Sequence, residues 1–495
     1  MYNNVLVADN IYKRCIELFN MHGGYIYKEY MFSILFLRYI SDLNESGIKE
    51  ISIIERNGIL MVAKNVPHKV LFYNVYQDCK KGFAEKKVGR ALMTINKIIC
   101  ELFPDKQDYL FENISSEIDN LINESAKNNI INELFYIFST NELDFSYSNN
   151  GINKAKDMSD YFIEKLSYDF GRKGRYIDTP KSIAMLVSKI IEPNNGDSIY
   201  DPACGAGELL IELDNYIKNN KKMKFNKLFG QDINQSNWFI ANINMLLHDK
   251  LNSIIELGDS IRYPKFTSDD NQLTKFDVVA SIPPFNSSNW GYEDAVYDKY
   301  NRFLFGIPPK SKGDYAFILH MIASLRDNTG RMAVVVPQGV LFRGGSEGII
   351  RKELVENTLL DAVILLPKGL FNSTSISVSI LVFKKNRVNK NILFVDASDY
   401  FETKNRRVCI GKRQLDRIVS VYFDRRNVNS LSYVSSIDEV RENDYSLNVP
   451  LYVKNIKENE YADINIRLLK KNRDLLMSKL NELESEMNKI IHFMN

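Results

Sequence analysis

Apolar residues recur at three- and four-residue spacing through the first part of the chain. Phe32, Leu35, Phe36, Tyr39 and Ile40 share one face of a predicted helix, and the same spacing returns after residue 90. The pattern predicts an N-terminal helical domain over residues 1–150. Packing is the simplest interpretation of this domain, and contact with a nucleic acid or protein partner is the alternative.

Short apolar runs alternate with amphipathic segments between residues 151 and 400. The strand candidates are residues 198–201, 228–232, 254–259, 276–282, 332–336, 362–366 and 377–383. Helices are predicted near 314–326 and 347–356. This order predicts an α/β fold with a mainly parallel, doubly wound sheet whose strand ends face one crevice.

The pattern weakens in the C-terminal region, residues 401–495, until a seam of apolar residues appears near the end. Its members alternate at three- and four-residue spacing: Leu469, Leu476, Leu480, Leu483, Met487 and Ile490. They predict a long helix that either packs on its own chain or binds a partner as a coiled-coil arm. We favour binding to a partner, because an apolar seam of this length is expected to be buried against other apolar groups.

Composition narrows the class of protein. With 495 residues, 45% of them hydrophobic and 25% charged, the chain is expected to form two or three globular domains. The five cysteines are scattered, which predicts reduced thiols, no zinc site and a cytoplasmic location. No apolar run has membrane-spanning length. The net charge of +2 argues against one large basic face, so nucleic-acid binding would need local patches or a partner.

A glycine-containing loop follows the first predicted strand. Asp201 and Pro202 end the strand, Gly205 and Gly207 follow, and an amphipathic helix begins directly after them. In an open α/β sheet, glycines at this turn let the backbone approach a ligand, and the helix N-terminus offers free N–H groups. A Gly-x-Gly pair alone is weak evidence for a ligand site, since ordinary tight turns also contain it.

Acidic residues end the first three predicted strands. Asp201, Asp232 and Asp259 would therefore lie beside one crevice. Asp232 is suited to accept hydrogen bonds from both ribose hydroxyls of a nucleoside, and Asp259 is suited to accept one from an adenine amino group. For each acid alone, a helix cap is the better explanation, and it is the three acids together after a glycine loop that favour a ligand site.

Another candidate segment precedes the first strand. Thr179 suits the N-cap of the next helix and Pro180 its first turn. This capping role is a sufficient structural explanation for both residues.

Many ordered strings in the chain resemble one family. They include residues 201–210, 230–234, 257–259, 276–279, 283–286, 313–317, 330–337 and 369–371. From about residue 170 to 383 the chain resembles the modification subunits of type I restriction-modification systems, which are adenine-N6 DNA methyltransferases. The resemblance implies a Rossmann-like class I S-adenosylmethionine-dependent methyltransferase domain over residues 151–400.

The resemblance also implies a cofactor and partners. S-adenosyl-L-methionine would be held by Thr179, Pro180, Asp201, Pro202, Gly205, Gly207, Asp232 and Asp259, without a metal. The implied partners are double-stranded DNA, a specificity subunit bound through the C-terminal helix, a second copy of the chain and a restriction/translocase subunit. The catalytic motif maps to Ile282, Pro283, Pro284 and Phe285, with Phe285 against an extruded adenine.

The chain departs from the family's pattern at the catalytic motif. The family has Asn where this chain has Ile282, and the Asn carbonyl accepts from the adenine amino group during attack. Isoleucine offers no acceptor, although the backbone carbonyls of Ile282 and Pro283 remain. The Ser281 hydroxyl should point to the opposite face. A second departure places Ile177 and Asp178 where the family has aromatic residues, with Tyr176 available nearby.

Two functions therefore remain open from the sequence. One is adenine-N6 methylation of DNA together with a specificity subunit. The other is a catalytically impaired or repurposed methyltransferase-fold protein, either a cofactor-binding assembly subunit or an enzyme acting on a substrate other than DNA. The remaining alternative is an unrelated α/β protein whose glycine loop holds another nucleotide. Within it, a P-loop ATPase is disfavoured because its Gly-x-x-x-x-Gly-Lys-Ser/Thr string is missing.

Overall fold

The structure is a computed structural model. It describes residues 2–22, 28–48, 50, 54, 57–104, 123–170, 179–220, 226–268, 270, 272–371, 376–404, 407–453, 472–484 and 487. All structural statements below refer to these residues.

The N-terminal region is helical, as the spacing of its apolar residues predicts. Its helices are α1 (Tyr2–Met21), α2 (Lys28–Glu45), α3 (Gly58–Asn65), α4 (Phe72–Cys79), α5 (Ala84–Leu102), α6 (Glu124–Phe138) and α7 (Gly151–Phe170). Helix α2 is buried along nearly all its length, and α1 and α7 pack against each other. The apolar core of these helices continues into one face of the sheet. The domain boundaries at 150 and 400 stay a prediction.

A nine-stranded sheet forms the centre of the molecule. Its strands are β1 (Ser198–Asp201), β2 (Lys227–Asp232), β3 (Ser253–Leu257), β4 (Val278–Ser281), β5 (Arg331–Pro337), β6 (Leu360–Leu365), β7 (Val378–Lys384), β8 (Ile392–Asp396) and β11 (Ser432–Ser435). A separate hairpin consists of β9 (Glu402–Lys404) and β10 (Arg407–Cys409).

The strand order across the sheet is β11-β8-β6-β7-β5-β4-β1-β2-β3. All neighbours pair in parallel except β7, which is antiparallel to β5 and β6, and β11, which is antiparallel to β8. The predicted mainly parallel, doubly wound sheet is confirmed. From β1 the chain adds β2 and β3 on one side and then returns to add β4 and β5 on the other, so the direction of strand addition reverses between β1 and β4. In open α/β sheets, ligands bind outside the carboxyl ends of the strands at such a reversal.

Helices cover both faces of the sheet. They are α8 (Lys181–Ile191), α9 (Glu208–Asn220), α10 (Gln235–Leu247), α11 (Tyr292–Ala295), α12 (Asp314–Ala323), α13 (Ser346–Glu356), α14 (Lys412–Asp424) and α15 (Ile437–Glu442). Successive strand side chains enter different cores: Ile199 packs with the N-terminal helices and Tyr200 on the other face.

The predicted cap of α8 is wrong by one residue. Pro180, with an extended backbone at φ −56° and ψ 125°, is the N-cap, and the helix begins at Lys181. The carbonyl of Pro180 accepts from the N–H groups of Ile183 and Ala184. Thr179 therefore lies outside the helix, because its following proline takes the boundary position.

The C-terminal seam lies on a helix over residues 472–484, and residue 487 is also helical. Four residues of the seam have 49–65% of their surface exposed to solvent: Leu476, Leu480, Leu483 and Met487. Leu469 and Ile490 lie outside the described residues. Among the described helices, none combines the length and the apolar character that a membrane-spanning segment requires.

Candidate active site

The loop between β1 and α9 has two glycines in left-handed conformations. Gly205 has φ +55° and Gly207 has φ +81°. A Cβ on Gly207 would lie 2.6 Å from Cε of buried Met245, whereas a Cβ on Gly205 would meet no heavy atom within 4 Å. Gly207 therefore permits packing on α10, and Gly205 leaves open space beside the backbone.

Side chains outside the loop hold it in place. The Asn244 amide donates to the carbonyl of Ala206 at 2.8 Å, and the Ser159 hydroxyl donates to Oδ1 of Asn244 at 2.7 Å. All three residues are buried. Helix α7 thus supports the loop through α10. Local sequence patterns do not predict these two hydrogen bonds, because each joins residues far apart in the chain.

Asp201 is the last residue of β1 and is 2% exposed. Its Oδ1 accepts from the Ala203 N–H at 2.9 Å and from the Ser281 hydroxyl at 2.6 Å. Burial raises the pKa of Asp201 to about 7, against the lowering effect of these two hydrogen bonds. Ser281 ends β4, so its bond connects the two strands at the reversal of the sheet order.

Asp232 is the last residue of β2 and lies close enough to Asp201 to raise its pKa further. Its Oδ2 accepts from the Gly205 N–H at 2.9 Å, and its Oδ1 accepts from the Asn234 N–H at 2.8 Å and from the Asn237 amide at 3.4 Å. Burial raises the pKa of Asp232 to about 6. A carboxylate has about four acceptor sites, so at least one remains for a ligand hydroxyl.

Asp259 lies two residues after β3 rather than on the strand. Its Oδ1 accepts from the N–H groups of Ile261 and Arg262, and its Oδ2 accepts from Nη1 of Arg262 at 2.8 Å. The neighbouring Ser260 hydroxyl donates to the carbonyl of Pro202 at 2.6 Å. The third acid therefore caps its own turn, and that turn is bonded to the glycine loop.

The four residues of the catalytic motif follow β4. Ile282 is 7% exposed and belongs to the core, Pro283 is buried, Pro284 is exposed and Phe285 is half-buried. The Ser281 hydroxyl bonds to Asp201, so it supplies no acceptor in place of the missing Asn.

Phe285 has an aromatic neighbour that the sequence did not predict. Its ring meets that of Phe371 edge-to-face, with centroids 5.6 Å apart and planes at 84°. Phe371 follows β6, so two loops at the same edge of the sheet form this aromatic pair. The sequence string around Phe371 matched the family but gave this residue no role.

The turn after Phe285 is fixed by a buried ion cluster. The Asn286 N–H donates to Oδ1 of Asp314 at 2.9 Å, and Nη2 of Arg343 donates to Oδ2 of Asp314 at 2.7 Å. Arg343 also pairs with Glu347. Asp314 and Glu347 are each 2% exposed, so this cluster positions the turn rigidly.

Thr179 and Pro180 lie next to the helix that follows the glycine loop. The Thr179 N–H donates to Oε2 of Glu208, the first residue of α9, at 3.3 Å. Tyr176, Ile177 and Asp178 lie outside the described residues. Among the described residues, no group of three or more His, Cys, Asp or Glu side chains is placed to hold a metal ion.

The described sites converge on one edge of the sheet. The carboxyl ends of β1 and β2 carry Asp201 and Asp232, the glycine loop lies between their turns, and the Ser281 bond links them to the motif after β4. The sheet order and this arrangement define a class I S-adenosylmethionine-dependent methyltransferase fold.

Comparison with known proteins defines the family more closely. The family model for N-6 DNA Methylase matches residues 152–461. The chain belongs to this family, and the resemblance to type I modification subunits is confirmed.

Individual relatives are consistent with this assignment. The type I restriction enzyme MpnII methylase subunit of Mycoplasma pneumoniae is 32% identical over 73% of this chain and 67% of its own length. The MjaVII methylase subunit of Methanocaldococcus jannaschii is 32% identical over 68% of this chain and 58% of its own length. The crystal structure of a type I restriction-modification methyltransferase subunit from Streptococcus thermophilus is 26% identical with a TM-score of 0.71, covering 90% of this chain and 100% of that one.

Proposed function

We propose that this chain is the methylase subunit of a type I restriction-modification system and transfers a methyl group from S-adenosyl-L-methionine to N6 of adenine in double-stranded DNA. The family match over residues 152–461 is the observation that carries this proposal, because it includes the glycine loop, the strand-end acids and the motif after β4. The match also disfavours the alternative of a repurposed fold.

The residues at the carboxyl edge fit the cofactor. Open space beside Gly205 leaves room for a ligand against the backbone, and Asp232 retains capacity to accept from a ribose hydroxyl. The cofactor, when bound, supplies an electrophilic methyl group on a sulfonium. We assign its binding to Thr179, Pro180, Asp201, Pro202, Gly205, Gly207, Asp232 and Asp259.

The target adenine is assigned to the aromatic pair. Phe285 offers a half-buried ring face for stacking an extruded base, and its edge-to-face contact with Phe371 fixes the ring. The carbonyls of Ile282 and Pro283 accept hydrogen bonds from the amino group. Because Ile282 lacks the amide of the family's motif, the chemical step is slower by about 10²–10³ than with Asn at this position.

The proposed function requires partners. We assign the exposed seam of Leu476, Leu480, Leu483 and Met487 to a specificity subunit, since four large apolar side chains on one helix need an apolar cover. A second copy of the chain and a restriction/translocase subunit complete the proposed assembly. We also assign this activity to the cytoplasm.

Transfer of labelled methyl groups tests the function. The chain, incubated with a candidate specificity subunit, labelled S-adenosyl-L-methionine and unmethylated DNA, is expected to label adenine N6. Asp201→Ala should abolish the label, and the matched control Asp327→Ala should retain it, because Asp327 is 77% exposed. Absence of label in DNA from a folded, cofactor-binding complex would contradict the proposal.

A further inference from the structure

A surface cavity lies near the start of α14, apart from the residues of the candidate active site. It has a volume of about 520 Å³ and is lined by Tyr400, Arg413, Gln414 and Arg417. This volume is in the range of ligand pockets. The four lining side chains supply two guanidinium groups, a phenol and an amide, all of which can donate hydrogen bonds.

The two arginines are free to bind an anion. Arg413 and Arg417 are exposed and lie one helical turn apart, and neither has an ion pair or hydrogen bond to another described residue. The acid between them, Asp416, binds Nζ of Lys189 at 2.7 Å and forms no ion pair with either arginine. Unpaired guanidinium groups at this spacing favour a phosphate, whose oxygens accept from both.

The topology places the cavity at the same edge of the sheet as the candidate active site. Strand β8 runs parallel to β6, with Asp396 beside Leu365, so the chain leaves β8 at the edge where Phe371 contacts Phe285. Tyr400 follows directly, and its N–H donates to the carbonyl of Ala397.

Helix α14 runs from this edge to the opposite one. Near its far end, the Tyr422 hydroxyl donates to Oδ2 of Asp361, which lies at the start of β6, at 2.8 Å. Arg425 binds the same carboxylate. The first turn of α14, with Arg413, therefore lies towards the carboxyl edge, and Arg417 follows one turn further along the helix.

We propose that this cavity, named here the α14 cavity, binds phosphodiester groups of the DNA that flank the target adenine. The inference rests on the proposed function and adds a contact surface to it. It also accounts for DNA binding by a chain whose net charge is only +2, since two unpaired arginines on the side of the molecule that carries the active site form a local basic patch.

The test compares DNA affinity at several salt concentrations. The full chain with its specificity subunit is titrated onto labelled duplex DNA as the wild type and as the double variant Arg413→Gln/Arg417→Gln. The logarithm of the association constant falls linearly with the logarithm of the salt concentration, and each phosphate contact contributes about 0.9 to the steepness of that fall. The slope of the double variant should therefore be less steep than that of the wild type by about 1.8. Arg413→Lys/Arg417→Lys keeps both charges and should retain most of the slope.

A matched control removes two charges from the opposite edge. Lys385 and Lys390 lie in the connection between β7 and β8, so Lys385→Gln/Lys390→Gln should leave the slope unchanged. Affinity for S-adenosyl-L-methionine should be equal in all variants.

The outcomes separate the two proposals. A wild-type complex that neither binds nor methylates DNA contradicts the proposed function. The wild-type complex could methylate DNA while the arginine double variant shows the same salt dependence of DNA binding as the Lys385→Gln/Lys390→Gln control. That result would overturn the role proposed for the α14 cavity and leave the proposed function intact. Saturable ATP binding that the double variant abolishes, with an unchanged DNA slope, would identify the cavity as a nucleotide site and also overturn the proposal.

Discussion

The Ser281 hydroxyl donates a hydrogen bond of 2.6 Å to Oδ1 of Asp201, joining the last residue of β4 to the last residue of β1. Both residues are buried, with exposed fractions of 1% and 2%. The bond connects the proposed cofactor site to the strand that leads into the catalytic motif. Since it favours the ionised form of Asp201, it also influences the charge of that site near neutral pH.

Removing this hydroxyl should weaken cofactor binding. In Ser281→Ala the pKa of Asp201 should rise further, because burial remains and a stabilising donor is lost. A hydrogen bond to a charged group contributes about 1.5–3 kcal/mol, so affinity at pH 7 should fall roughly ten- to hundredfold. Calorimetric titrations from pH 6 to 9 should show partial recovery at high pH.

The matched control for this variant is Ser188→Ala, whose hydroxyl bonds only within its own helix, to the carbonyl of Met185. It should bind the cofactor normally. Equal affinities and equal pH profiles for Ser281→Ala and the wild type would show that the bond has no role in binding.

Gly205→Ala should separate folding from cofactor binding. A methyl group there enters open space but forces an L-residue into φ +55°, which costs about 1–2 kcal/mol. Gly196 is a close match, with φ +89° and open space, but it precedes β1 at the opposite edge. Both variants should lose similar stability in thermal unfolding, and only Gly205→Ala should lose cofactor affinity, by tenfold or more. Equal affinities would place the cofactor elsewhere.

The buried acids predict a pH dependence of stability. Burial raises the pKa of Asp201 to about 7 and that of Asp232 to about 6, above their ordinary value of 3.8. The folded chain therefore holds these protons more tightly than the unfolded chain. The resulting stabilisation is fully present below pH 3.8 and is lost as the pH rises towards 7.

Asp201→Asn tests this dependence. Between pH 5 and 8 its melting temperature should fall less than that of the wild type, because one of the two groups no longer titrates. Asp327→Asn, at an exposed site, should follow the wild type. A steeper fall in Asp201→Asn than in the wild type would contradict the raised pKa.

The C-terminal seam predicts an interface. Leu480→Asp/Leu483→Asp introduces charges into the seam and should abolish co-elution with a specificity subunit, because burying an unpaired carboxylate is unfavourable. Ser478→Asp/Asn481→Asp changes other exposed positions of the same helix and should preserve the complex. Co-elution of both variants would assign the specificity subunit to another surface.

The sequence predicted the sheet and the positions of two strand-end acids because the signals for both are local. Alternating apolar runs predict strands, and Asp201 and Asp232 directly end theirs. Strands β8 and β11 were missed, because short strands that pair far along the chain have no distinctive spacing. The cap of α8 was wrong since the rule places Pro in the first turn, whereas here Pro180 takes the cap itself.

The supporting contacts of the site could not be predicted from one sequence. The Ser281 bond to Asp201 spans 80 positions, and the Ser159 bond to Asn244 spans 85. The pairing of Phe285 with Phe371 likewise depends on how two loops meet at one edge of the sheet. Local spacing carries no information on such contacts, which only the packed fold defines.

Placing an asparagine at position 282 is the most direct test of the proposed function, because it relates one side chain of the candidate site to the rate of methyl transfer. Single-turnover methylation of duplex DNA by the complex, with the product nucleoside identified by mass spectrometry, should yield N6-methyladenine. The rate for Ile282→Asn should exceed the wild-type rate by about 10²-fold, within the range for one stabilising polar contact. Ile282→Leu, which restores no acceptor, should show no gain. An Ile282→Asn complex that folds and binds cofactor and DNA, yet methylates adenine no faster than the wild type, would contradict the assignment of this motif to catalysis.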